Sequence, residues 1–145
     1  MHLAFYKGNG GIFSRLIRRR TNGIYSHVEI VFSNGECFSS HEKDGGTRFA
    51  KFDLLPQDWD LVKLPDWIDE SKVRAWCENE KGKPYDWRAI VRFTFGIKMF
   101  NNDNWFCSEI CCAAFQPQGL FSKLDPSATS PQDLWIAAIS IANAH

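Results

Sequence analysis

Cys107 stands where the aromatic pair Trp105-Phe106 gives way to the helical pattern Ser108-Glu109-Ile110-Cys111-Cys112. A helix start presents unpaired backbone N–H groups and the positive end of the macrodipole, and both favour a thiolate over a thiol. At that position the N–H of Cys107 can also donate to a developing oxyanion. Far upstream, His27 lies in the strand-like run Tyr25-Ser26-His27-Val28-Glu29-Ile30-Val31-Phe32. Residues two apart on a strand share a face, so His27 and Glu29 point one way while Ser26, Val28 and Ile30 point the other. That suits an imidazole base oriented by a carboxylate, where a solvent-facing polar strand edge is the plainer reading. A cysteine in an electropositive niche and a distant histidine are the minimal kit for a cysteine nucleophile. The expectation is a thiol-dependent hydrolase or acyl-transfer enzyme. Cys111 and Cys112 sit inside the apolar helix and read as structural, as do Cys37 and Cys77.

Other residues compete for supporting roles. If Asn34-Gly35 makes a two-residue turn, Glu29 lies opposite Ser40 and His41 faces the other way, so Ser40 rivals Glu29 as the orienting group. Tyr85 follows a proline in a turn; its phenol either hydrogen-bonds substrate or oxyanion, or only covers the core. Cys107 and Cys111 share a helix face and Cys112 or His27 can add ligands, which makes a zinc-stabilised domain a rival from another class. Neither a second Cys pair, nor two-residue Cys spacing, nor a His-x₃-His pair accompanies them, and no metal or other cofactor is expected. Arg15, Arg18, Arg19 and Arg20 can touch phosphates of nucleic acid or lipid, or select an anionic substrate, but read most simply as a solvated helix face.

The elements that must position these groups follow from pattern. Residues 3–6 form a short strand ended by Gly8-Asn9-Gly10-Gly11. Residues 12–20 have Ile12, Leu16 and Ile17 at helical spacing with arginines on the other face. Residues 26–32 and 36–40 flank Ser33-Asn34-Gly35 as a hairpin, and Asp44-Gly45-Gly46 ends its second arm. A further strand spans 59–64, and helices span about 70–80, 86–95 and 108–115. Residues 101–104 are a polar loop, and Ser130-Pro131 opens a last helix. Helices segregated beside a small antiparallel sheet make an α+β domain.

With 145 residues, twelve phenylalanines and six tryptophans, the chain is expected to fold as one domain, residues 1–145, around a real core. Seventeen basic and seventeen acidic residues cancel, so no whole-molecule field attracts nucleic acid, and no nucleic-acid partner is expected. Five cysteines suit a reduced compartment better than a disulfide framework. No signal peptide and no bilayer-length apolar run are visible, which predicts a chain that is cytoplasmic when made, with delivery by a phage or secretion apparatus open to it.

Three motifs in order, Tyr25-Ser26-His27-Val28-Glu29-Ile30, Gly82-Lys83-Pro84-Tyr85-Asp86-Trp87 and Phe106-Cys107-Ser108-Glu109-Ile110-Cys111, together resemble the circularly permuted branch of the NlpC/P60 papain-like superfamily. The histidine strand preceding the cysteine helix is the mark of that branch. The resemblance implies a small antiparallel sheet or half-barrel packed on the cysteine helix, with Cys107 as nucleophile and His27 as base. It places Tyr85 beside the cysteine, and it often draws the third polar residue from the strand after the histidine, here Ser39 or Ser40. It implies a peptide, cell-wall or acyl-lipid substrate. Lipid or acyl-amide chemistry needs an apolar channel next to Cys107, with Phe93, Phe95, Phe100, Trp105 and Phe106 as candidate walls, where ordinary core is the plainer reading. A catalytically inactive binding module of the same fold is the alternative.

Overall fold

The computed structural model describes residues 1–88 and 105–144. Strand β1 (His2–Tyr6) leads into helix α1 (Ile12–Thr21), followed by β2 (His27–Val31), β3 (Cys37–His41), β4 (Gly46–Ala50) and β5 (Trp59–Lys63). Helices α2 (Glu70–Glu80), α3 (Cys107–Phe115) and α4 (Pro131–Ala142) come after the sheet. The five strands form one antiparallel sheet in the order β4-β3-β2-β1-β5. The α+β expectation therefore holds. The helix expected over 86–95 lies, from residue 89 on, outside the described residues, as do the loop at 101–104 and Phe93, Phe95 and Phe100.

Strand alternation decides which face is covered. Leu3, Phe5, Val28, Ile30, Phe38 and Val62 form one buried cluster with Val73 and Cys77 of α2, Ile110, Cys111 and Phe115 of α3, and Leu134 and Ala138 of α4. Each large apolar side chain in that layer contributes about 1.5–3 kcal/mol relative to exposure. On the other face Ala4, Val31 and Cys37 make a small second cluster under Leu54 and Trp59. The helix starts are capped as their sequences require. Asp69 accepts from the Ser71 and Lys72 N–H groups, and Ser130 and Asp133 each accept the other's backbone N–H ahead of α4.

Two expectations need correction. The hairpin loop is three residues long, Ser33-Asn34-Gly35: the Phe32 N–H donates to the Glu36 carbonyl at 2.9 Å, and Gly35 adopts φ +82°. A left-handed third residue is what a three-residue hairpin needs, and glycine adopts it without strain. The register thereby moves by one from the two-residue case. Ile30 pairs with Phe38 and Val31 with Cys37, so Glu29 is level with Ser39, and His27 with His41 rather than away from it. The second correction is β4 itself, which runs beside β3 along five residue pairs where a turn end was expected. Its sequence, Gly-Thr-Arg-Phe-Ala, has one large apolar residue and so no readable alternation.

In α1, only Ile17 of the expected apolar stripe is buried; Ile12 is exposed and Leu16 half-buried. Ile12 and Ile17 lie five residues apart, roughly 140° around the helix, and one neighbouring layer cannot cover both.

Candidate active site

Three elements converge on Cys107. It is the first residue of α3, with Phe106 as N-cap, and the Glu109 carboxylate reaches back to the Phe106 N–H at 3.4 Å. The N–H of a first helical residue has no partner inside its helix. The turn before it is tied down: the Trp105 carbonyl accepts the Ser40 hydroxyl at 2.6 Å, and its indole N–H donates to Glu80 at 2.7 Å. From the other side, Ser108 donates its hydroxyl to the Thr129 carbonyl at 2.7 Å. The helix start is thus held by β3, α2 and the segment ahead of α4.

The Cys107 side chain is 1% exposed and its sulfur hydrogen-bonds the imidazole of His27. His27 Nε2 lies 2.7 Å from Glu29 Oε1. Glu29 is fully buried, and its ionisation is held below the ordinary glutamate value: burial opposes the charge, but His27 and Arg48 outweigh it. A carboxylate only accepts, so Nε2 carries a proton and Nδ1 is the nitrogen left for Cys107. Arg48, from β4, donates two parallel hydrogen bonds to Glu29, at 2.8 Å (Nη1 to Oε2) and 2.6 Å (Nη2 to Oε1), and its Nε donates to Asp44 at 2.9 Å. The paired guanidinium is what makes a buried carboxylate tolerable here. Sulfur, imidazole, carboxylate, guanidinium and carboxylate form one chain of hydrogen bonds.

Charge in that chain is set from its ends. Burial disfavours imidazolium at His27, yet the facing Cys107 and Glu29 together raise its pKa to about 10. Burial pushes the thiols of Cys37 up to about 11 and of Cys112 up to about 12, and it raises those of Cys77 and Cys111 as well. Cys107 is the thiol that faces an imidazole. Cys111 instead points at the Val28 carbonyl, 3.7 Å away, and at the Ser39 hydroxyl. Cys112 hydrogen-bonds Thr129. Among the described residues no group of three His, Cys, Asp or Glu side chains converges as metal ligands.

Beside Cys107 lies a cleft of about 410 Å³, lined by Tyr6, Phe13, Ser26, His41, Trp59 and Tyr85 among others. That is within the range that holds a small ligand. Tyr85 is 5% exposed, and burial with the adjacent Cys107 raises its pKa, which keeps its phenol a proton donor. It is brought there by residues 83–85, which lie against Gly46: Thr47 donates its N–H to the Lys83 carbonyl at 2.9 Å, and Tyr85 donates to the Gly45 carbonyl at 3.1 Å. Gly46 has φ +151°, and a Cβ there would stand 2.0 Å from the Lys83 carbonyl oxygen.

Of the residues singled out from sequence, Cys107, His27, Glu29 and Tyr85 share one site. Ser40 does not: the three-residue loop turns it to the opposite face, where Trp105 takes its hydroxyl. Its place is taken by His41, whose ring meets that of His27 edge-on at 4.9 Å. The His41 Nδ1 accepts the Lys43 N–H at 3.1 Å, and burial followed by the charge on His27 lowers its pKa. Arg48, like His41, is a residue of the site that sequence reasoning misses. The one available pointer is that a buried glutamate needs a cation, and the nearest arginine lies in a strand that the sequence does not announce.

No protein-family model matches this chain, and no curated protein sequence is similar to it. Among the described residues no helix is long and apolar enough to cross a membrane.

Proposed function

We propose that this protein is a cysteine-dependent hydrolase of the amidase or peptidase type, on a permuted papain-like fold. The observation that carries the reading is His27 hydrogen-bonded between a thiol at a helix start and a buried carboxylate, at the edge of a cleft. The order of a histidine strand before a cysteine helix supports the fold.

In this reading the Cys107 thiolate attacks the substrate carbonyl carbon, and the carbonyl π electrons move onto oxygen. The Cys107 N–H and the Tyr85 phenol are the donors that stabilise that oxyanion. The imidazolium of His27 gives its proton to the leaving nitrogen or oxygen as the bond to carbon breaks, leaving a thioester on Cys107. Neutral His27 then takes a proton from water, whose oxygen attacks the thioester. The acid departs and the thiolate–imidazolium pair is restored. Glu29 holds the imidazole in one orientation and stabilises its charge, while Arg48 keeps Glu29 ionised. The substrate is a peptidoglycan peptide or an acyl-lipid amide or ester, and the chemistry needs no cofactor.

The direct test is a panel of such amides and esters, quenched in acid and read by intact-protein mass. An acyl mass on Cys107 that is absent in Cys107→Ser, with product formation lost in both Cys107→Ser and His27→Ala, is the expected result. Turnover that survives Cys107→Ser sinks the reading.

A further inference from the structure

Helix α1 carries apolar side chains in two directions, and among the described residues only Ile17 of them is buried. At roughly 100° per residue, Ile17 faces the core while Ile12 and Leu16, one turn apart, share the outward face. Ile12 is 70% exposed, and Phe13 beside it is 40% exposed. Phe13 meets the Trp87 ring edge-on at 5.5 Å, and Trp87 is itself 51% exposed. Arg15, Arg19 and Arg20 are exposed on the same outward side, and the helix has no acidic residue. Arg18 points inward instead, donating to the Lys7 and Gly8 carbonyls. Phe13 also lines the cleft beside Cys107, so the patch borders its mouth.

We infer that this face of α1 docks the protein onto an anionic phospholipid surface. Aliphatic Ile12 and Leu16 can neither stack on bases nor hydrogen-bond to them, which argues against nucleic acid. Their burial rewards a hydrocarbon boundary, and phenylalanine and tryptophan alongside them suit the headgroup level. Arginine stems lie along apolar surface while the guanidinium reaches lipid phosphate. With the whole chain neutral, the attraction is local, acts within about a Debye length of ~8 Å at physiological salt, and weakens as salt rises. The inference stands apart from the cysteine chemistry, because binding is read without turnover.

The experiment is co-sedimentation of the full chain with large vesicles of phosphatidylcholine alone and of phosphatidylcholine with phosphatidylglycerol. Wild type is expected to bind the anionic vesicles and to be released by salt. Arg15→Gln/Arg19→Gln should weaken binding tenfold or more, at about fivefold per arginine. Ile12→Ser should weaken it severalfold, with helicity and Cys107 alkylation unchanged in both variants. Three results would overturn the inference: wild type failing to bind anionic vesicles, the arginine variant binding as well as wild type, or Ile12→Ser having no effect. Duplex DNA stripping the protein from vesicles would also overturn it, by assigning the patch to nucleic acid.

Discussion

Glu29 is the residue on which the site's electrostatics turn, because its two oxygens serve His27 and Arg48 at once. Removing Arg48 would leave a fully buried carboxylate with the imidazole alone. Arg48→Met is therefore expected to destabilise the protein at neutral pH by about 3 kcal/mol, as for other broken buried ion pairs. The sign of the pH dependence follows from the depressed pKa of Glu29. Its contribution is present above the ordinary value of 4.5 and lost as pH falls through the lower value it has when folded. Urea melts of wild type and Arg48→Met should therefore converge in acid; a gap that stays constant down to the lowest pH at which both fold would contradict this account. Cys107, His27 and Glu29 can be read in the sequence because helix starts and strand alternation are local rules. Arg48 and His41 cannot, since both depend on strand pairing.

At the scale of elements, the strands and helices with strong periodicity or good caps are legible: β1, β2, β3 and β5, and α1 to α4. What misleads is one residue of loop length. Counting Ser33 into the turn exchanges Ser40 for His41 beside His27, because side chains on a strand alternate and a slip of one swaps faces. Strand β4 is hidden by its poor pattern and by the two glycines at its start, which read as a stop. Glycines in this sheet do different work. Gly35 needs only a left-handed backbone, with nothing within 4 Å of where a Cβ would stand, whereas Gly46 also admits the Lys83 carbonyl. Gly35→Ala should cost about 1 kcal/mol, the strain of left-handed backbone alone. Gly46→Ala should cost at least about 2–3 kcal/mol, because contact is added to strain and residues 83–85 must move. Equal losses in thermal melts would contradict the close approach that delivers Tyr85 to the cleft.

Across the whole molecule, the fold explains why a neutral chain can keep a buried carboxylate ionised. The sheet and its helices bury Glu29 and Cys107, and His27 and Arg48 both hydrogen-bond the Glu29 carboxylate. Fold class is readable because segregated strands and helices leave few arrangements, while the cleft is not, being assembled from α1, the start of β2, the turn after β3 and Tyr85. The outward apolar face of α1 is hidden for the same reason, since periodicity reports a stripe and not what covers it. In the proposed chemistry, His27 makes Cys107 the reactive thiol of the five. The measurement is iodoacetamide alkylation across pH, read cysteine by cysteine by mass spectrometry in wild type and His27→Ala. Cys107 is expected to be modified first and far faster than Cys37, Cys77, Cys111 and Cys112, and His27→Ala is expected to abolish the lead. A Cys107 no faster than the structural thiols, or one whose rate ignores His27, would contradict it.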